Sequence, residues 1–162
     1  MKIGIMGGTF NPIHNAHLLI AEMAREEYGL DRVIFITDGN PPHKSANVTA
    51  KQRFEMTHIA IADNSAFEED DFEINRSEKS YTVNTLGYLK EKYPNNDLFF
   101  IIGEDSLNDF DKWYKPDKIL EMCSLLVFPR KSLKSLTETI KAVKEKMNGR
   151  IFPISAPVFR IS

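Results

Sequence analysis

Apolar positions along the chain follow two periods that alternate. Lys2-Ile3-Gly4-Ile5-Met6 is a short apolar run closed by Gly7-Gly8, which predicts a strand and a glycine turn. From about His14 the spacing becomes helical: Ala16, Ile20, Met23 and Ala24 share a face, and Gly29 stands where a helix stops. Residues 32–37 are a continuous β-branched and aromatic run, the pattern of a strand buried on both faces of a parallel sheet, and this strand is expected beside the first. Asp38-Gly39-Asn40-Pro41-Pro42 interrupts regular structure, and helical spacing returns over 51–62 through Phe54, Ile59 and Ile61. Alternating Phe72 and Ile74 predict a strand over 67–75, followed by a helix over 82–93 and a buried strand over 98–102. Pro116 suits the first turn of a short helix, and 124–128 reads as a strand. From Ser132, the residues Leu133, Leu136, Ile140, Val143 and Met147 recur every three or four positions with Gly149 past the end, and 151–154 is a final short strand.

Strands alternating with helices at this spacing build βαβ units with right-handed crossovers. The expected fold is therefore α/β: a three-layer, Rossmann-like parallel sheet with helices on both faces. Ligands of such sheets sit beyond the carboxyl ends of the strands. Three loops are expected at that edge, over 7–17, 38–44 and 103–114.

Composition narrows the function. The 162 residues carry 21 Lys and Arg against 23 Asp and Glu, a formal charge of −2. That balance argues against sequence-independent nucleic-acid binding, which needs many phosphate-neutralising cations, but leaves small anionic ligands open. The size suits one domain, and a lone cysteine, Cys123, excludes an internal disulfide and fits a reducing compartment. No apolar run approaches the ~20 residues that cross a bilayer, so a cytoplasmic protein without a membrane partner is expected. The run Glu68-Glu69-Asp70-Asp71 reads as a solvated turn or edge-strand face. Lys131, Lys134, Lys141, Lys144 and Lys146, mixed with Glu138 and Glu145, read as the solvated side of the last helix.

The segment Gly7-Gly8-Thr9-Phe10-Asn11-Pro12-Ile13-His14-Asn15-Ala16-His17 holds the informative chemistry. Paired glycines let backbone approach a ligand, Thr9 offers a hydroxyl, and the helix that follows presents unpaired N–H groups with partial positive charge. His14 and His17, three apart at a helix start, share a face. On spacing alone such a pair is more often a solvated or hydrogen-bonded surface feature than a catalytic one. Neither His43 nor His58 stands in a zinc-ligand spacing with Cys123.

With these residues the chain resembles the HxGH nucleotidyltransferase superfamily, and most closely its nicotinate-nucleotide adenylyltransferase family. Further landmarks follow in order: Pro41-Pro42-His43-Lys44, Ser80-Tyr81-Thr82, Ile101-Ile102-Gly103-Glu104-Asp105, Trp113-Tyr114 and Arg130. The resemblance implies AMP transfer from ATP to nicotinate mononucleotide, with Mg²⁺ arriving on ATP. It implies that His14 and His17 bond the ATP phosphates, that Gly7, Gly8, Thr9 and Phe10 hold phosphates through backbone and hydroxyl, and that Lys44 adds a phosphate contact. Gly103 and Asp105 would face adenosine. Trp113 would stack on the pyridine, backbone N–H groups around Thr82, Val83 and Tyr114 would hold its carboxylate, and Arg130 would lie near the acceptor.

Without the resemblance, Trp113 and Tyr114 read as core or rim aromatics, Asp105, Ser80 and Thr82 as helix caps, and Arg130 and Lys44 as solvated charges. Phosphopantetheine adenylyltransferase, or a nucleotide-binding module with little turnover, are the alternative readings; a homo-oligomer is left open. Ala16 replaces the Gly more usual in the family. Ile161-Ser162 match the start of a second phosphate motif, Ile-Ser-Ser-Thr-x-x-Arg, so the expectation for 1–162 is a single domain lacking the rest of that motif and the last helices.

Overall fold

The computed structural model of the chain describes residues 1–8, 10, 13–39, 49–76 and 80–155. Thr9 and Lys44 lie outside the described residues. The elements run β1 (Lys2–Gly8), α1 (Asn15–Tyr28), β2 (Arg32–Thr37), α2 (Ala50–Ile61), β3 (Phe67–Asp70), α3 (Thr82–Lys92) and β4 (Asp97–Gly103). They continue with α4 (Glu104–Asn108), a 3₁₀ turn at Phe110–Lys112, α5 (Pro116–Met122), β5 (Ser124–Phe128), α6 (Leu133–Lys146) and β6 (Ile151–Pro153).

Among the described residues the strands form one six-stranded sheet in the order β3-β2-β1-β4-β5-β6, with every pairing parallel. β1 pairs with β2 on one side and β4 on the other, so its carboxyl end opens at the middle of the sheet, where the strand order reverses. Both faces are covered. Ile20, Ala21 and Ala24 of α1 and Ile61 of α2 pack with Val33, Phe35 and Ile101 on one side. Leu86, Leu89, Leu107, Ile119, Leu136 and Ile140, from α3 to α6, pack with Ile5, Ile34, Phe100 and Leu125 on the other. The three-layer α/β fold expected from the pattern is the one observed.

Three local expectations are corrected. β3 stops at Asp70 instead of running to 75, because the Asp70 carboxylate accepts the Phe72 N–H at 2.8 Å and turns the chain, after which Phe72 stacks on Tyr88 with ring centres 4.2 Å apart. Asp70 is thereby buried, so the acidic run is not wholly solvated. In α2 the inward face is polar: Ile59 is 74% exposed, while Arg53, Thr57 and Ile61 are buried. The Arg53 guanidinium donates to the Asp38 carbonyl at 2.7 Å, which ties the helix to the residue after β2, and the Thr57 hydroxyl is satisfied within the helix by the Arg53 carbonyl at 3.0 Å. Finally, residues 103–114 are mostly the helix α4 and a 3₁₀ turn.

The inverted polarity of α2 has a measurable consequence. Arg53→Met should lower unfolding stability by about 1–3 kcal/mol by orphaning a carbonyl, whereas Ile59→Lys should stay within about 0.5 kcal/mol. Urea unfolding of both variants checks this, and a larger loss at Ile59 would contradict the packing.

Candidate active site

β1 delivers the chain to Gly8, and the turn that follows is built around an aromatic ring. A Cβ on Gly8 would come within 2.9 Å of the Phe10 ring, so glycine is what lets this turn close. Phe10 itself is held at φ 50°, a left-handed conformation that a buried, well-packed ring stabilises. Its ring meets His17 edge-on at 5.5 Å and Phe35 at 6.1 Å. The family resemblance implies a backbone contact from Phe10; the side chain has a further task, which is to wall in His17.

His14 precedes the first residue of α1 in extended conformation, and its ring stacks on His17 with centres 5.6 Å apart. The His14 backbone N–H donates to His17 Nδ1 at 3.0 Å. An Nδ1 that accepts a bond carries no proton, so the neutral ring holds its proton on Nε2, on the ring edge away from that bond. Burial, and secondarily the neighbouring His14, push the His17 imidazole below its ordinary range. The result is a neutral imidazole with a fixed donor. The first-turn amides of α1 add the positive end of the helix at the same place.

A cavity of about 890 Å³ opens beside this turn, between the carboxyl ends of β1, β4 and β5. It brings together Gly7, His17, Gly103, Asp105, Trp113 and Arg130. Trp113 packs against Phe110 at 5.0 Å and Phe100 at 6.1 Å. Arg130 and Asp105 face one another at 3.1 Å, both exposed, so residues expected near different substrates form one ion pair at one lip. Gly103, not Asp105, caps α4, and Asp105 lies in its first turn.

Of the other expected residues that are described, His14, Gly8, Phe10, Thr82, Val83 and Tyr114 are not among those that line this cavity. His14, Gly8 and Phe10 belong to the turn just described. Thr82 opens α3, whose N-cap is Tyr81 without a side-chain capping bond, so neither Ser80 nor Thr82 serves as the cap. Tyr81 packs on Tyr114 with ring centres 4.6 Å apart, which joins the start of α3 to the residue after Trp113. Val83 and Trp113 are packed against the same core.

Sequence reasoning passed over Glu104. It is buried at the cavity, where Oε1 accepts the Arg130 N–H at 3.1 Å and Oε2 accepts the Ser135 and Thr139 hydroxyls at 3.2 and 2.9 Å. Its partners come from residues far along the chain, so no local pattern could reveal it. Lys131 is also reassigned: it precedes α6 and lines the cavity. Among the described residues no cluster of three or more His, Cys, Asp or Glu could hold a metal, and no helix is long and apolar enough to cross a membrane.

The chain has known relatives in sequence and fold. A cytidylyltransferase-like family profile matches residues 5–160. A protein of Citrifermentans bemidjiense named probable nicotinate-nucleotide adenylyltransferase is 47% identical over 86% of this chain and 67% of its own length. One of Caldicellulosiruptor bescii with the same name is 41% identical over 100% of this chain and 83% of its length. The chain thus spans about two thirds to four fifths of the length of these relatives. Among solved structures, the nicotinic acid mononucleotide adenylyltransferase of Plasmodium falciparum complexed with NaAD superposes with a TM-score of 0.78 at 22% identity, covering 98% of this chain and 77% of its own, a likeness of fold. The coverage of the profile and the identity to these relatives establish that the chain belongs to the cytidylyltransferase-like family and, within it, to the nicotinate-nucleotide adenylyltransferases.

Proposed function

We propose that this chain transfers AMP from ATP to the phosphate of nicotinate mononucleotide, giving nicotinate adenine dinucleotide and pyrophosphate. The observation that carries the reading is the His14 N–H bond to His17 Nδ1, which leaves a fixed N–H donor on a ring that lines the 890 Å³ cavity. The names of the relatives favour this acceptor over phosphopantetheine.

In this reaction an acceptor phosphate oxygen attacks the α-phosphorus, a P–O bond forms, and the bond to pyrophosphate breaks with its electron pair leaving on oxygen. No side-chain nucleophile is required; positioning and stabilisation of the shifting charge supply the catalysis. The lone cysteine takes no part, since it is buried in the core with its thiol pushed up to about 12 by burial. His17 donates from Nε2 to a phosphate oxygen, His14 donates beside it, and the α1 amides with the Gly7-Gly8 backbone complete the cradle. Thr9 and Lys44 are assigned phosphate contacts on the family resemblance.

Arg130 and Lys131 supply positive charge across the cavity, with Asp105 positioned to accept from a ribose hydroxyl and Gly103 beside the adenosine. Trp113 stacks on the pyridine, and N–H groups near Thr82, Val83 and Tyr114 hold its carboxylate. Mg²⁺ would be held chiefly by the triphosphate and water, which suits an ion that sheds its hydration reluctantly.

Pyrophosphate release from ATP and Mg²⁺ should depend on nicotinate mononucleotide; release only with phosphopantetheine would refute the assignment. His17→Ala should lower kcat by about 10²–10³ with little change in thermal stability, as for loss of one transition-state donor. A loss that merely tracks the folded fraction would make His17 structural. Trp113→Ala should raise the acceptor KM about tenfold while kcat falls less than about threefold, because stacking holds ground and transition states alike. An unchanged acceptor KM would remove Trp113 from the site.

A further inference from the structure

Polar side chains at positions 85, 88 and 92 form a stripe along α3 that meets the residues just after and at the end of β3. The Tyr88 hydroxyl and the Lys92 ammonium each donate to the Asp70 carboxylate at 3.1 Å. Nearest the start of the helix, the Thr85 hydroxyl donates to Glu73 Oε2 at 2.7 Å. Thr85 is buried, three residues after Thr82, so this last bond fixes the first turn of α3.

Glu73 also reaches the opposite way. Its backbone lies so close to Gly39 that a Cβ there would be 2.2 Å from the Glu73 carbonyl oxygen. Only glycine permits that approach. Asp38, the preceding residue, is gripped through its carbonyl by Arg53 at 2.7 Å. One turn between β3 and α3 therefore spaces the carboxyl end of β2 from the amino end of α3.

We propose that Glu73 is a positioning residue for the acceptor subsite, holding the first-turn amides of α3 at a set distance from the Asp38-Gly39 segment. The inference rests on the acceptor reading of α3 given above. Glu73 touches no substrate in this account; it acts through Thr85 and Gly39.

The charge state of Glu73 matters to that spacing. Thr85 faces it from α3, Asp38 from the end of β2 and Arg76 from its own turn, with Arg53 of α2 on Asp38. Burial pushes the carboxyl up to about 7; the Thr85 bond and Arg76 pull it down, and Asp38 adds to the rise. Because the folded value lies above the ordinary 4.5, the stabilisation from the protonated form is complete below 4.5 and is lost as pH rises through about 7. Ionisation then sets a second negative charge against Asp38 across the turn.

Steady-state kinetics of the chain and its variants test this. Glu73→Ala should raise the KM for nicotinate mononucleotide about tenfold, while the KM for ATP and kcat change less than about twofold. Glu73→Gln keeps an acceptor for Thr85 and should recover most of that loss, while removing the rise in acceptor KM between about pH 6 and 8. By NMR, the Gly39 and Val83 amides should titrate together with a midpoint near 7, and should cease to do so in Glu73→Gln. Equal losses for both substrates, an unchanged acceptor KM in Glu73→Ala, or Gly39 and Val83 amides that ignore pH would each overturn the proposal. Absence of product from the unaltered chain with any acceptor would count against the adenylyltransferase reading instead, and the amide titration would then decide the role of Glu73 alone.

Discussion

A single backbone-to-ring hydrogen bond, from the His14 N–H to His17 Nδ1, sets the chemistry at the head of α1. It decides which nitrogen of His17 bears the proton, and burial keeps the ring neutral, so the side chain enters as a donor of fixed direction. Protonation of Nδ1 would turn that acceptor into a donor facing another donor. The surroundings are arranged to keep the bond in place: Phe10 walls the ring, Gly8 makes room for Phe10, and the central position of β1 anchors both.

The sheet supplies position, and buried polar bonds supply spacing. Glu104 collects three donors from the β5–α6 connection and α6, and so fixes the lip that carries Arg130 and Lys131. Arg53 and Glu73 do the corresponding work at the end of β2 and the start of α3. Buried groups of this kind cost more when left unpaired than they gain when bonded, so each penalises any other arrangement of its loop. A reaction driven by positioning is served by loops of that kind.

Much of this was legible in the chain. The β-branched runs at β2, β4 and β5, the glycine turn after β1 and the three-to-four periodicity of α6 are strong local signals, and the parallel sheet follows from their alternation with helices. Where reading by period failed, tertiary polar contacts had overridden it: α2 turns Arg53 and Thr57 inward and Ile59 outward, and the alternation of Phe72 and Ile74 belongs to a turn made by Asp70. Of the candidate site residues read from the motif and the resemblance, His17, Gly7, Gly103, Asp105, Trp113 and Arg130 line one cavity. Glu104 and Glu73 were not, because a carboxyl's partners across 31 or 35 residues, or its burial, leave no mark on local sequence.

The tautomeric state of His17 can be read by nitrogen-15 NMR at pH 7 to 8, with and without ATP. The expected result is a neutral ring with the proton on Nε2, an unprotonated Nδ1 coupled to the His14 amide, and a shift of the Nε2 resonance when ATP binds. A proton resident on Nδ1, or a ring whose nitrogens ignore the nucleotide, would contradict it.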